Sequence, residues 1–254
     1  MKNFIVLFIF FYASPLFSQK IKFGNSAEDI IDRYLEVTGG REKWKNISTL
    51  EIKGYSAITL DLNESNVEKI LFKNYYRNKP ACLSIIMKNT RSVKSTEFFK
   101  IYEYKTREWS DLSAFSRKSD DGGVGLTLLS FTMYFANLDS ETKLIKSDKF
   151  FGDDYEVIEM VKPITSSGKV RIVYYLFSKE TGRLKTVKIE DNGDFFSETE
   201  LNNYEIINGF SFATSLSFNY NSNLNTSLTK EPRTSIYTEI KINQPIDESV
   251  FDMN

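Results

Sequence analysis

Val170-Arg171-Ile172-Val173-Tyr174-Tyr175-Leu176-Phe177 is followed, after Glu180-Thr181-Gly182-Arg183, by Leu184-Lys185-Thr186-Val187-Lys188-Ile189. Asn192-Gly193 then leads into residues 199–207, and Asn208-Gly209 into Phe210–Tyr220. β-Branched and aromatic residues dominate each run, and glycine-containing turn pairs separate them, which is the pattern of strands joined by tight turns. Connections this short leave no room for a crossover helix, so successive strands are antiparallel neighbours.

The same texture extends in both directions. Residues 50–55, 68–73, 97–104, 155–161 and 234–242 alternate apolar and polar, with Lys162-Pro163 and Ser167-Gly168 as further turn signals. The chain is predicted to be mainly β, with about ten or eleven strands and a few helices. One helix is expected at the start: Ser26 as the cap, Glu28 and Asp29 against the positive helix end, and an apolar stripe of Ala27, Ile30, Ile31, Tyr34 and Leu35. Gly39-Gly40 stops it. A second helix is expected over residues 126–138, because thirteen residues exceed an ordinary strand. Leu128, Phe131, Phe135 and Leu138 fall near helical spacing there, behind the glycines at 122, 123 and 125. Two roles are open to this segment: a lid hinged at the glycines, or a helix packed in the core.

Met1-Lys2-Asn3 followed by nine large apolar residues, 4–12, has the form of an export signal and is short for a bilayer span. Cleavage is expected after Ser18, so residues 1–18 form the signal peptide and 19–254 a single domain that begins at Gln19. No cysteine follows the apolar run, so no lipid anchor is expected on the mature amino terminus, and no later run is long enough to cross a membrane. The protein is expected to be periplasmic or secreted.

Composition narrows the chemistry. The 254 residues carry 33 basic and 34 acidic groups, too balanced for the positive field that nucleic acids require. No histidine is present, which removes Ser-His and Cys-His nucleophiles and histidine-ligated metals. The single cysteine, Cys82, lies in an apolar run and reads as an inert core thiol. Asp120-Asp121 and Asp153-Asp154 are adjacent acids whose side chains diverge in extended chain, so they read as turn residues. No catalytic residue, metal site or cofactor is expected. What remains is an aromatic surplus of 21 phenylalanines and 14 tyrosines. Residues such as Phe98 and Tyr102 on one face and Phe99 and Ile101 on the other describe a sheet covered on both sides, or one lining an apolar cavity.

Several motifs resemble Bacteroidetes outer-membrane lipoprotein-sorting-like proteins, relatives of the LolA and LolB lipoprotein carriers. They are residues 27–34 with Thr38-Gly39-Gly40-Arg41-Glu42-Lys43-Trp44 and Ile47, Tyr174-Tyr175-Leu176 with Glu180-Thr181-Gly182-Arg183-Leu184, Tyr204-Glu205-Ile206-Ile207-Asn208-Gly209-Phe210, and residues 240–243 with 246–251. The resemblance implies an unclosed, strongly curved antiparallel β-barrel covered by helices. It also implies a concave cavity sheltering a lipid or lipoprotein acyl chain, with an envelope receptor protein as a further partner. Leu128, Phe131, Phe135, Trp109, Phe98 and Tyr102 are the expected ligand-binding residues. The carriers' lid-controlling Arg-Pro pair is replaced here by Lys79-Pro80, with Arg77 nearby, so Lys79 and Arg77 are the candidates for lid control. The carriers' Asp-Gly-Lys-Thr-x-Trp turn reads Glu103-Tyr104-Lys105-Thr106-Arg107-Glu108-Trp109, without its glycine. The alternative function is a non-catalytic envelope interaction or sensor module whose cavity is filled by its own side chains.

Overall fold

The computed structural model describes residues 26–59, 67–112, 129–138, 142–164, 169–221 and 233–253. The proposed signal peptide therefore lies outside the described residues. Three short helices, α1 (Ala27–Val37), α2 (Arg41–Lys45) and α3 (Phe131–Ala136), accompany the strands. In chain order these are β1 (Thr49–Thr59), β2 (Val67–Asn78), β3 (Ala81–Met87), β4 (Thr90–Ser95), β5 (Phe99–Glu103) and β6 (Glu108–Asp111), then β7 (Leu144–Lys146), β8 (Tyr155–Ile164) and β9 (Lys169–Ser178). Four more complete the set: β10 (Leu184–Asp191), β11 (Asp194–Ile207), β12 (Phe210–Tyr220) and β13 (Arg233–Ile242).

Among the described residues all thirteen strands form one antiparallel sheet, ordered β6-β5-β4-β3-β2-β1-β13-β12-β11-β10-β9-β8-β7. The edges β6 and β7 do not pair, so the sheet is unclosed, as expected. The expected ten or eleven strands become thirteen: β4 carries almost no hydrophobic signature, and β7, Leu144-Ile145-Lys146, is only three residues long. Thr90-Arg91-Ser92-Val93-Lys94-Ser95 contributes one apolar side chain, Val93, and is held by its neighbours' ladders instead. The turn between β5 and β6 lacks glycine, and Arg107 adopts φ 60 in its place.

α1 forms as expected. Ser26 accepts from the Asp29 amide at 3.1 Å while Asp29 accepts from the Ser26 amide at 3.0 Å, closing a capping box. Its buried stripe is Ala27, Ile30, Ile31, Tyr34 and Leu35. α2 was not foreseen; it puts Trp44 into the core, edge-to-face against Phe210 and Phe212, with its indole N–H donating to the Thr38 carbonyl at 3.0 Å. α3 is shorter than the expected segment. Ser130 caps it through its hydroxyl, and residues 126–128 lie outside the described residues. Together the helices fill one end of the concave face, with Leu50, Ile52, Phe177, Leu201 and Phe212 beneath them.

Burial in this core also sets an alkaline limit on stability. It penalises the phenolate of Tyr34, whose pKa is pushed up to about 12, and raises Tyr204 and Tyr237 in the same way. The unfolded chain loses these protons near the ordinary value of about 10, whereas the folded chain keeps them. Stability is therefore complete below about pH 10 and falls as pH rises through the folded values. Denaturant midpoints measured from pH 8 to 11 should stay level and then drop, and Tyr237→Phe should flatten the drop. A midpoint that rises with pH would contradict the assignment.

Candidate ligand-binding cavity

Directly opposed residues of antiparallel strands share a face, so the pairing register sorts every strand side chain. Phe72 opposes Met87 and Gly54, Gly54 opposes Tyr237, and Val173 opposes Met160 and Ile189. All of these lie on the concave face. Beyond the helices this face encloses an open cavity of about 510 Å³, within the range of roughly 300–1,000 Å³ typical of ligand sites. Its lining reaches from Ile85 and Met87 on β3 to Met160 on β8, nine strands along the sheet order. At about 4.8 Å per strand those ends would stand some 38 Å apart in a flat sheet, so the sheet curls strongly to bring them together.

The wall is apolar in its depth: Phe72, Val173, Tyr175, Val187, Leu216 and Tyr237 face the space, with Phe131 of α3 covering it. Polar groups gather toward the strand ends furthest from the helices, namely Ser56, Ser235, Lys162, Arg171 and Tyr220. The Ser56 and Ser235 hydroxyls satisfy each other at 2.8 Å. Gly54 makes the close approach of β1 to β13 possible, and Phe72 lies over it edge-to-face with Tyr237. Asn74 is buried at the cavity wall, and its Oδ1 has no hydrogen-bond partner among the described residues.

The expected site residues divide. Phe131 lines the cavity and is half buried. Phe135, on the same short helix, is fully buried among Tyr34, Tyr175 and Phe177. Leu128 and the glycines at 122, 123 and 125 lie outside the described residues. α3 is tied down from two sides: Tyr34 and Thr132 share a 2.6 Å hydroxyl hydrogen bond, and Arg41 Nη1 donates to the Phe135 carbonyl at 3.3 Å while Nη2 binds Asp32. The arginine that touches this segment is thus Arg41, which sequence reasoning passed over although it stands in the Gly39-Gly40-Arg41 motif.

Phe98, Tyr102 and Trp109 are not brought to the cavity. Val93 opposes Lys100, and Tyr102 opposes Trp109, which places all three aromatics on the convex face. Phe98 and Trp109 pack instead with Cys82, Val93 and Phe251 beneath the closing 3-10 turn at Glu248–Phe251. Arg77 and Lys79 do not reach α3 either. Tyr76 turns inward, so Arg77 points outward, where it pairs with Glu248 and stacks 4.7 Å from the Phe251 ring. Lys79 is exposed in the β2–β3 turn. The physical reason is the strand period of two: a sequence run shows which residues share a face, but not which face becomes concave.

Among the described residues no group of three or more His, Cys, Asp or Glu side chains is placed to hold a metal. Burial pushes the Cys82 thiol up from its ordinary value, consistent with packing rather than reactivity. Arg171 is held by two hydrogen bonds from Nε and Nη2 to Asp191, at 2.7 and 2.8 Å, which raise its pKa further. The arrangement offers an apolar trough with polar and charged groups at its rim.

No protein-family model and no curated protein matches the chain. Solved structures do match it in three dimensions. A DUF1329 family protein from Desulfovibrio piger has a TM-score of 0.60 at 11% identity, over 89% of this chain and 97% of that one. A LolA superfamily protein from Nitrosomonas europaea gives 0.58 at 11% identity, over 90% and 98%. An outer membrane lipoprotein-sorting protein domain from Vibrio parahaemolyticus gives 0.55 at 14% identity, over 87% and 97%. The fold of this chain is that of the LolA-like unclosed barrels.

Proposed function

We propose that this LolA-like chain is an exported carrier or binding protein of the cell envelope that shelters a lipid or a lipoprotein acyl chain. The observation that carries the reading is the open apolar cavity on the concave face, walled by Phe72, Val173, Val187, Leu216 and Tyr237 and covered by Phe131. Each methylene moved from water into such a space contributes about 0.8 kcal/mol, so a chain that water rejects is held without any specific bond. The fold's likeness to a lipoprotein-sorting domain supports the same reading. An unclosed sheet gives a chain a lateral route in and out, and an envelope receptor would supply the surface onto which cargo is released.

In this reading residues 1–18 direct export and are removed, and the mature chain works in the periplasm. A cavity of about 510 Å³ favours it over a module filled by its own side chains. Native mass spectrometry of protein purified gently from envelopes provides the test. The expected spectrum shows a chain beginning near Gln19, unacylated, carrying a lipid mass that organic extraction removes. A bare protein mass under conditions that preserve other lipid complexes would favour the self-filled module and overturn the carrier reading.

A further inference from the structure

Resting on that reading, we propose that the sheltered molecule carries a hydroxyl group within its hydrocarbon part, bound by the side-chain amide of Asn74 in the cavity wall. Asn74 is 6% exposed, and its Oδ1 has no hydrogen-bond partner among the described residues. Polar groups nearer the strand ends are provided for within the protein: the Ser56 and Ser235 hydroxyls bond each other, and Arg171 bonds Asp191. Asn74 has apolar company instead. It stands on β2 between Phe72 and Tyr76 on the concave face, opposite Ile52 of β1 and Ile85 of β3. Phe72 and Ile85 line the cavity with it, whereas Ile52 and Tyr76 are buried in the core. The Tyr76 hydroxyl donates to Asn78 Oδ1 at 3.2 Å.

A buried amide without a partner lowers stability, and a leucine in the same place would not. Packing therefore gives no reason for an asparagine between these residues, and a ligand does. Water is a poor partner here, because a buried water needs two to four polar neighbours and the residues flanking Asn74 across the sheet are apolar. A hydroxyl donates and accepts at once, so it satisfies whichever end of the amide, carbonyl oxygen or NH2, is turned toward the space. The amide loses its water when the protein folds, so binding does not pay that cost again, and the bond forms in a wall of low polarity. A plain hydrocarbon chain leaves the amide as it was. A hydroxyl at the wrong distance along the chain meets apolar wall and is penalised.

The test uses stearic acid and a set of hydroxystearic acids, with the hydroxyl at different chain positions, to displace a fluorescent fatty acid from delipidated protein. Wild type should bind the isomer whose hydroxyl meets Asn74 about five-fold more tightly than stearic acid, the scale of one neutral hydrogen bond. Isomers with the hydroxyl several carbons away should bind no better than stearic acid. Asn74→Leu should reverse the order, with stearic acid the tightest of the set, and should keep or raise the denaturant midpoint of the unliganded protein. Asn74→Ala, which only enlarges an existing space, should abolish the preference too and guards against overpacking by leucine. A midpoint lowered by Asn74→Leu and Asn74→Ala alike would show that the amide has a structural role, and would overturn the proposal. So would a hydroxyl preference that both variants retain. Equal affinity of wild type for stearic acid and every isomer overturns hydroxyl recognition and leaves the carrier reading standing. Failure of wild type to bind the fluorescent fatty acid or any competitor overturns both.

Discussion

Phe135→Ala is expected to lower the unfolding free energy by about 3–5 kcal/mol, while Phe131→Ala, one helical turn away, costs about 1–2 kcal/mol and weakens acyl-chain binding about ten-fold. The contrast comes from what each ring touches. Phe135 is fully buried, with ring centroids of Tyr34, Tyr134, Tyr175 and Phe177 between 5.0 and 5.9 Å away. Truncating it leaves a void enclosed on all sides that the rigid sheet cannot close. Phe131 meets Tyr175 at 6.5 Å but otherwise faces the cavity, so its removal enlarges a space that already exists. Denaturant unfolding of the delipidated proteins, paired with titration of a fluorescent fatty acid, reads both quantities. Should Phe131→Ala cost as much as Phe135→Ala and leave affinity untouched, Phe131 would belong to the core and not to the site.

Gly54→Ala is expected to cost about 3 kcal/mol, a large penalty for one methyl group, and to reduce chain binding as well. A Cβ at this position would lie 2.2 Å from the Ile236 carbonyl oxygen and 2.7 Å from Cζ of Phe72. Phe72 has room to swing, but the carbonyl belongs to the β13 backbone and moves only with its strand. The pairing register between β1 and β13 shifts at Lys53/Gly54, so the close approach is built into the sheet where it curls. Displacing β13 there would shift Ser235 and Tyr237, both part of the cavity wall. Gly193→Ala is the control: it sits at φ +87 with open space around it, and should cost only about 1 kcal/mol and leave binding intact. Equal effects of the two substitutions on midpoint and affinity would refute the account.

Much was legible in the residues themselves. The tight turns at Thr181-Gly182, Asn192-Gly193 and Asn208-Gly209 do join antiparallel strands, and each of these glycines adopts the positive φ that its turn requires. The Ser26 cap and the α1 stripe also follow from local pattern, because capping and helical periodicity depend only on residues three or four apart. The placement of Phe131 on a helix was legible for the same reason. β4, β7 and α2 were not, since β4 and α2 are largely polar and β7 is only three residues long, so none carries a periodic apolar signal of its own.

The sequence by itself determined the strand texture, the turns, the first helix and the exclusion of histidine-based chemistry. These depend on composition or on contacts within a few residues. Only the tertiary structure decided that Phe72, Val173 and Leu216 share one cavity, that Phe98, Tyr102 and Trp109 face away from it, that Phe135 is core while Phe131 is wall, and that Arg77 holds the carboxyl-terminal turn. A strand's period of two yields two equivalent faces, and nothing local distinguishes them. The choice is made when helices α1 to α3 bury one face and the sheet curls around them, an outcome of contacts far apart in sequence, such as Tyr34 with Phe177 and Trp44 with Phe210.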